Sequence, residues 1–134
     1  MGINKMKDLT VSQVDRQNIL NNEMAIKEIQ KSSNIKSIVF ENKYYFTKIM
    51  VATFFDVDIR TIERYISDNA PELLGNGYEI LKGNRLKAFI EKINETDVPD
   101  INVGNIGVKT SQLAIFDFKA FLNIAILLSE EDIE

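Results

Sequence analysis

Arg60, Thr61, Glu63, Arg64 and Ser67 fall within two helical turns of one another. On a helix, positions 60, 63, 64 and 67 share one face. These side chains suit the reading of base edges. A guanidinium can donate two hydrogen bonds to guanine, and a carboxylate can accept from the amine of cytosine. Thr61 and Ser67 carry hydroxyls that serve either a base or a phosphate. Arg60 and Arg64 are two of only four arginines in the chain. Lys43, Lys48, Lys82, Arg85 and Lys87 are the candidate cations for holding a phosphate backbone and fixing register. For any single lysine among them, a solvated surface charge is the simpler reading.

The elements that must position these groups are legible in Thr47 to Ile66, TKIMVATFFDVDIRTIERYI. Val51, Ala52 and Phe55 give a first helix its apolar face. Val57 falls in a turn, and Ile62, Tyr65 and Ile66 give a second helix its own apolar face. The small Ala52 lets the helices cross closely. Thr47 is placed to cap the first helix, with Phe46 and Val51 as a hydrophobic staple. Asp58 is placed to cap the second, and its negative charge suits that helix's positive end. Asp56 stands where the turn usually has glycine, and Asp tolerates the left-handed backbone needed there. The pattern is that of a helix-turn-helix, which lays its second helix in the DNA major groove. Paired amphipathic helices also occur in all-α folds that never meet nucleic acid.

Composition narrows the chemistry. The chain has 134 residues, a length of about one domain, with 45% hydrophobic and 27% charged residues. It has no cysteine and no histidine. Disulfides, thiolate metal sites, histidine-ligated zinc and Ser-His-Asp hydrolysis are therefore excluded. Asp56, Asp58 and Glu63, or Asp97 and Asp100, are conceivable carboxylate pairs for metal-assisted chemistry. Both groups have plainer roles as caps and loop acids. The expectation is no catalysis, no metal and no cofactor. The start, MGINKMKDLT, lacks a signal-peptide apolar core. The apolar stretch from Phe116 to Leu128 is interrupted by polar residues and too short for a bilayer. A cytoplasmic location is expected.

The net charge is −4, which does not suggest a nucleic-acid partner. Its distribution answers part of that objection. From residue 94 onward, eight acidic residues stand against Lys109 and Lys119, so the part before it is weakly basic. A local patch can bind DNA from such a body, with modest affinity.

The coarse architecture follows from periodicity and turn residues. Residues 1–11 read as a flexible start. A first helix is expected from Ser12 to Lys31, then a break at 32–34. Ile35–Phe40 and Tyr44–Phe46 read as a short β-hairpin. After the motif, Pro71 and Gly75-Asn76-Gly77 mark a loop. Tyr78–Leu81 reads as a strand, Arg85–Ile93 as a helix, 94–110 as a long loop, and Ser111–Phe116 as a strand able to pair with Tyr78–Leu81 in a wing-like ribbon. A last helix runs to Leu128 with almost no polar face, so it must be buried. Core packing is its first reading. A homodimer interface through Phe118, Phe121, Leu122 and Ile126 is the second. Residues 129–134 form an acidic tail.

Two stretches carry a family resemblance. One is YYFTKIMVATFF leading into the motif. The other is DINVGN (Asp100–Asn105) followed by LAIFDFKAFLNIAILLSE (Leu113–Glu130). With NGYEILKGNRLKAFI between them, residues 36–130 resemble the N-terminal region of the RhuM-type virulence proteins, a bacterial group associated with DNA binding. The resemblance implies a bacterial DNA-binding helix-turn-helix and a longer natural chain.

The sequence thus points to an α+β fold, mostly α. It is a single winged-helix-like domain over 12–128, built on a helix-turn-helix at 47–67, with a small β-hairpin or wing and flanking helices. The expected function is sequence-specific binding of double-stranded DNA in transcription regulation. The alternative is a winged-helix adaptor that binds a protein partner without DNA.

Overall fold

A computed structural model describes residues 13–95 and 110–131. The chain divides into two compact units, 1–33 and 34–134. In the first unit residues 13–20 are helical (α1), and a second helix, α2, spans Glu23–Ser32. The single helix expected over 12–31 is therefore two. Asn22 explains the break: its side chain accepts from the Ala25 backbone N–H at 3.1 Å and starts a new helix. Ser12, read as the first cap, and the whole 1–11 segment lie outside the described residues, as do 132–134.

The second unit opens with strands β1 (Ile38–Phe40) and β2 (Lys43–Thr47). They pair antiparallel through a two-residue turn in which Glu41 and Asn42 both have positive φ, 51° and 63°. That geometry matches the right-handed twist of the strands it joins. Helices α3 (Lys48–Phe55), α4 (Ile59–Asp68) and α5 (Ala70–Gly75) follow. The loop expected around Pro71 is thus mostly a short helix. Proline in the first turn loses no hydrogen bond, because that N–H has no partner within the helix. Strand β3 (Tyr78–Leu81), helix α6 (Gly83–Glu95), strand β4 (Leu113–Asp117) and helix α7 (Phe118–Glu131) complete the unit. Within the loop read at 94–110, residues 96–109 lie outside the described residues. The acidic tail read from residue 129 begins inside α7.

The four strands form one antiparallel sheet in the order β1-β2-β4-β3. Strand β4 pairs with β3, as expected, and also with β2 on its other side. The two strands therefore do not stand apart as a free ribbon. The unit is α+β, mostly helical, with a small antiparallel sheet.

Both faces of the sheet are covered. Tyr45 and Phe46 are neighbours on β2 and point to opposite sides. Tyr45 and Phe40 meet Phe89 of α6 edge-on, at centroid distances of 6.3 and 5.1 Å. Phe46 stacks on Phe121 of α7 at 4.5 Å. Phe121 is also ringed by Phe54, Phe55 and Phe118. The near-continuous apolar run of α7 is explained by this position, since Phe118, Ala120, Phe121, Ile124 and Leu127 are all buried. Among the described residues, no helix is long and apolar enough to cross a membrane.

Candidate nucleic-acid interface

Helices α3 and α4 are joined by Asp56, Val57 and Asp58, and the local chemistry of this joint is complete. Thr47 Oγ1 accepts from the Met50 N–H at 3.3 Å and caps α3. Asp56 ends α3 in the left-handed conformation, φ 55° and ψ 48°, and its N–H returns to the carbonyls of Ala52 and Thr53. Asp58 Oδ1 accepts from the Arg60 N–H at 2.8 Å and caps α4. That backbone bond, with a side-chain bond from Arg60, holds the Asp58 carboxyl below the usual carboxylate range. Val51, Ala52 and Ile62 are buried between the helices and the body. The caps assigned from sequence to Thr47 and Asp58 and the left-handed turn at Asp56 are present, whereas Phe55, Tyr65 and Ile66 on the expected apolar faces are half-buried.

The outer stripe of α4 is open. Arg60, Glu63, Arg64 and Ser67 are exposed, and Thr61 is half-buried at its margin. The Arg60 side chain is 86% exposed and its Nε lies 3.3 Å from Asp58 Oδ1. The Arg64 guanidinium sits over the Tyr65 ring, 5.4 Å from its centroid. Glu63 is engaged by a neighbouring helix: Lys48 Nζ, in the first turn of α3, is 3.2 Å from its Oε2.

The other candidate cations are not gathered beside α4. Lys43 is exposed at the hairpin end of β2, and Lys82 and Lys87 are exposed at and after the start of α6. Helix α6 covers the sheet face carrying Tyr45, whereas α3, α4 and α7 lie on the face carrying Phe46. The sheet thus stands between α6 and the motif. Arg85 is committed elsewhere. It donates to both oxygens of Glu79 at 3.0 and 3.1 Å and to Glu41 at 2.6 Å, and it lies over the Phe40 ring. It ties the hairpin turn to β3. Only Lys48, of the five, adjoins the outer stripe of α4. Around the motif, Lys48, Arg60 and Arg64 stand against Asp56, Asp58, Glu63 and Asp68, so this surface is not electropositive.

Two of the four residues read as a dimer face belong to the core instead. Phe118 and Phe121 are 5% and 2% exposed and are enclosed by ring contacts within the unit. Leu122 and Ile126 are half-buried. Sequence reasoning missed a buried polar chain behind α4. Asn76 Nδ2 donates to Asn123 Oδ1 at 2.8 Å, and Asn123 Nδ2 donates to Glu72 Oε2 at 2.6 Å. The available signal was Asn123 itself, a lone polar residue in an apolar helix. Among the described residues there is no cluster of acids fit to hold a metal ion.

Comparisons with protein-family models, with curated proteins and with solved structures gave no match to this chain.

Proposed function

We propose that residues 34–134 form a DNA-binding module that reads double-stranded DNA through α4 and regulates transcription in a bacterial cytoplasm. The proposal takes the fold as winged-helix-like and the family as RhuM-type. The observation that carries it is the outer stripe of α4: two exposed arginines stand on a short helix anchored by the buried Ile62 and capped by Asp58. A helix held this rigidly presents guanidinium groups at fixed spacing, which base-edge recognition requires. Arg60 and Arg64 are assigned to bases, Thr61 and Ser67 to bases or phosphates, and Lys48 to the backbone. A single recognition helix covers only a few base pairs, so specific binding would use two copies on two half-sites. The half-buried Leu122 and Ile126 are the residues left for that contact. The reading is of a binder, without catalysis.

The test is a fluorescence-anisotropy titration of the full chain against duplex DNA at several salt concentrations. Wild-type protein should lose affinity steeply as salt rises. An Arg60→Ala, Arg64→Ala double variant should bind at least roughly thirtyfold more weakly, because each of the two guanidiniums withdrawn from a base edge costs about 1–3 kcal/mol. Salt-independent or absent binding by the wild type would overturn the proposal.

A second reading, a protein-binding adaptor, is favoured by one observation. Acids around the motif outnumber bases, and Lys48 and Arg60 each already face one of those acids. It leaves DNA affinity negligible and the double variant without effect.

A further inference from the structure

We infer that Glu63 is the residue that sets base preference, selecting cytosine, and that Lys48 is the counter-charge that lets its carboxylate enter the groove. This rests on the reading of α4 as a duplex-reading helix.

Glu63 is the one acid on the exposed stripe formed with Arg60, Arg64 and Ser67. Arginines at that surface are attracted by the phosphates of every duplex, so they add affinity before they add discrimination. A carboxylate behaves in the opposite way. It accepts hydrogen bonds and donates none, and the phosphates repel it. Docking strips away its water. Lys48 serves one carboxylate oxygen, so for the other only an exocyclic amine on the facing base can replace what is lost. In the major groove cytosine offers such an amine at N4; adenine offers one at N6 but beside the N7 acceptor, which repels a carboxylate, and guanine and thymine present acceptors there. A duplex without cytosine at that step leaves the carboxylate desolvated and opposed. Selectivity arises from that penalty against the wrong sequence.

Lys48 makes the arrangement workable. Its ammonium group reaches from the first turn of α3 to Glu63 Oε2, 3.2 Å away, with both side chains partly exposed, 33% and 48%. Exposed pairs of this kind add little to folding. At a docked duplex the same lysine offsets the repulsion between Glu63 and phosphate, and it keeps the carboxylate aimed along the outer stripe. Lys48 is therefore a positioning residue and Glu63 the reader.

The test uses the full chain and four variants: Glu63→Gln, Glu63→Ala, Lys48→Ala, and Lys48→Ala with Glu63→Gln. Duplexes that the wild type prefers are first selected from a random library. Affinities for selected and scrambled duplexes are then measured. Wild type should require cytosine at one position, with a preference of roughly 5- to 150-fold. Glu63→Gln should transfer that preference to adenine, which a carboxamide can bond at two atoms, and should bind scrambled DNA more tightly. Glu63→Ala should lose the preference. Lys48→Ala should weaken binding to both duplexes, by a smaller factor when Glu63 is already Gln. If wild type binds but both Glu63 variants keep its base preference, the inference fails and the helix reading stands. If wild type binds no duplex, both fail.

Discussion

Replacing Asn123 by alanine should cost the protein about 2.5–4 kcal/mol. Asn123 is fully buried on α7 and spans two partners, accepting from Asn76 and donating to Glu72. The neutral bond contributes about 1 kcal/mol and the bond to a carboxylate about 1.5–3 kcal/mol. With typical domain stabilities of about 5–15 kcal/mol, this is a large share of the total. At a urea sensitivity of about 2 kcal/mol per molar, the unfolding midpoint should fall by about 1.5 M. Asn76→Ala removes the neutral bond but leaves the one between Asn123 and Glu72, and should cost less. The double variant should cost less than the two singles together, because they share one interaction. A loss below about 1 kcal/mol for Asn123→Ala, or strict additivity, would refute the chain of bonds. These groups fasten α5 to α7, and α4 packs on both, so the same variant should weaken any activity that needs α4 held still.

Three further outcomes follow from backbone and charge. Gly77→Ala should destabilise by about 3 kcal/mol or more in a urea melt, because φ is +108° and an added Cβ would run into the Asp117 carboxylate. Asp56→Gly should stabilise by about 0.5–1 kcal/mol, since Asp56 adopts the left-handed conformation, whereas Asp56→Ala should stabilise nothing. Burial raises the Asp117 carboxyl above its ordinary value. A raised value means its favourable contribution is complete below the unfolded-state value and fades as pH climbs through the folded one. Asp117→Asn keeps an oxygen for the Ala120 N–H, now accepted at 2.9 Å, and should be more stable than wild type at pH 7. Urea melts should show that advantage shrinking by about pH 4, near the ordinary aspartate value.

Local features of the motif are legible in the sequence because they depend on residues within a few positions. Thr47, Asp56 and Asp58 each act on backbone groups one turn away or less. Strand Tyr78–Leu81 is bounded by the turn residues Gly77 and Lys82-Gly83, and its limits can be read from them. Less can be read where distant residues decide. Nothing local to Arg85 shows that Glu41 lies within its reach, so sequence alone assigns it to DNA while the fold commits it to two carboxylates. Phe118 and Phe121 fit an interface or a core equally well by pattern, and only the position of Phe46, Phe54 and Phe55 decides. The break at Asn22 and the helix at Pro71 are hidden because asparagine and proline serve helix starts as readily as loops.

The central place of β4 bears on how this unit can be made. Strand β2, which feeds directly into α3, completes its ladder only when Ile115, Phe116 and Asp117 arrive from far downstream. A fragment ending after α6 would leave β2 and β3 each with a bare edge and Phe46 without Phe121 above it. Pairings this remote in sequence slow folding and expose sticky edges while the chain waits. The two-helix motif is contiguous on paper, yet its scaffold is assembled from both halves of the unit. Excising residues 34–95 should therefore yield an aggregating peptide and not a miniature binder.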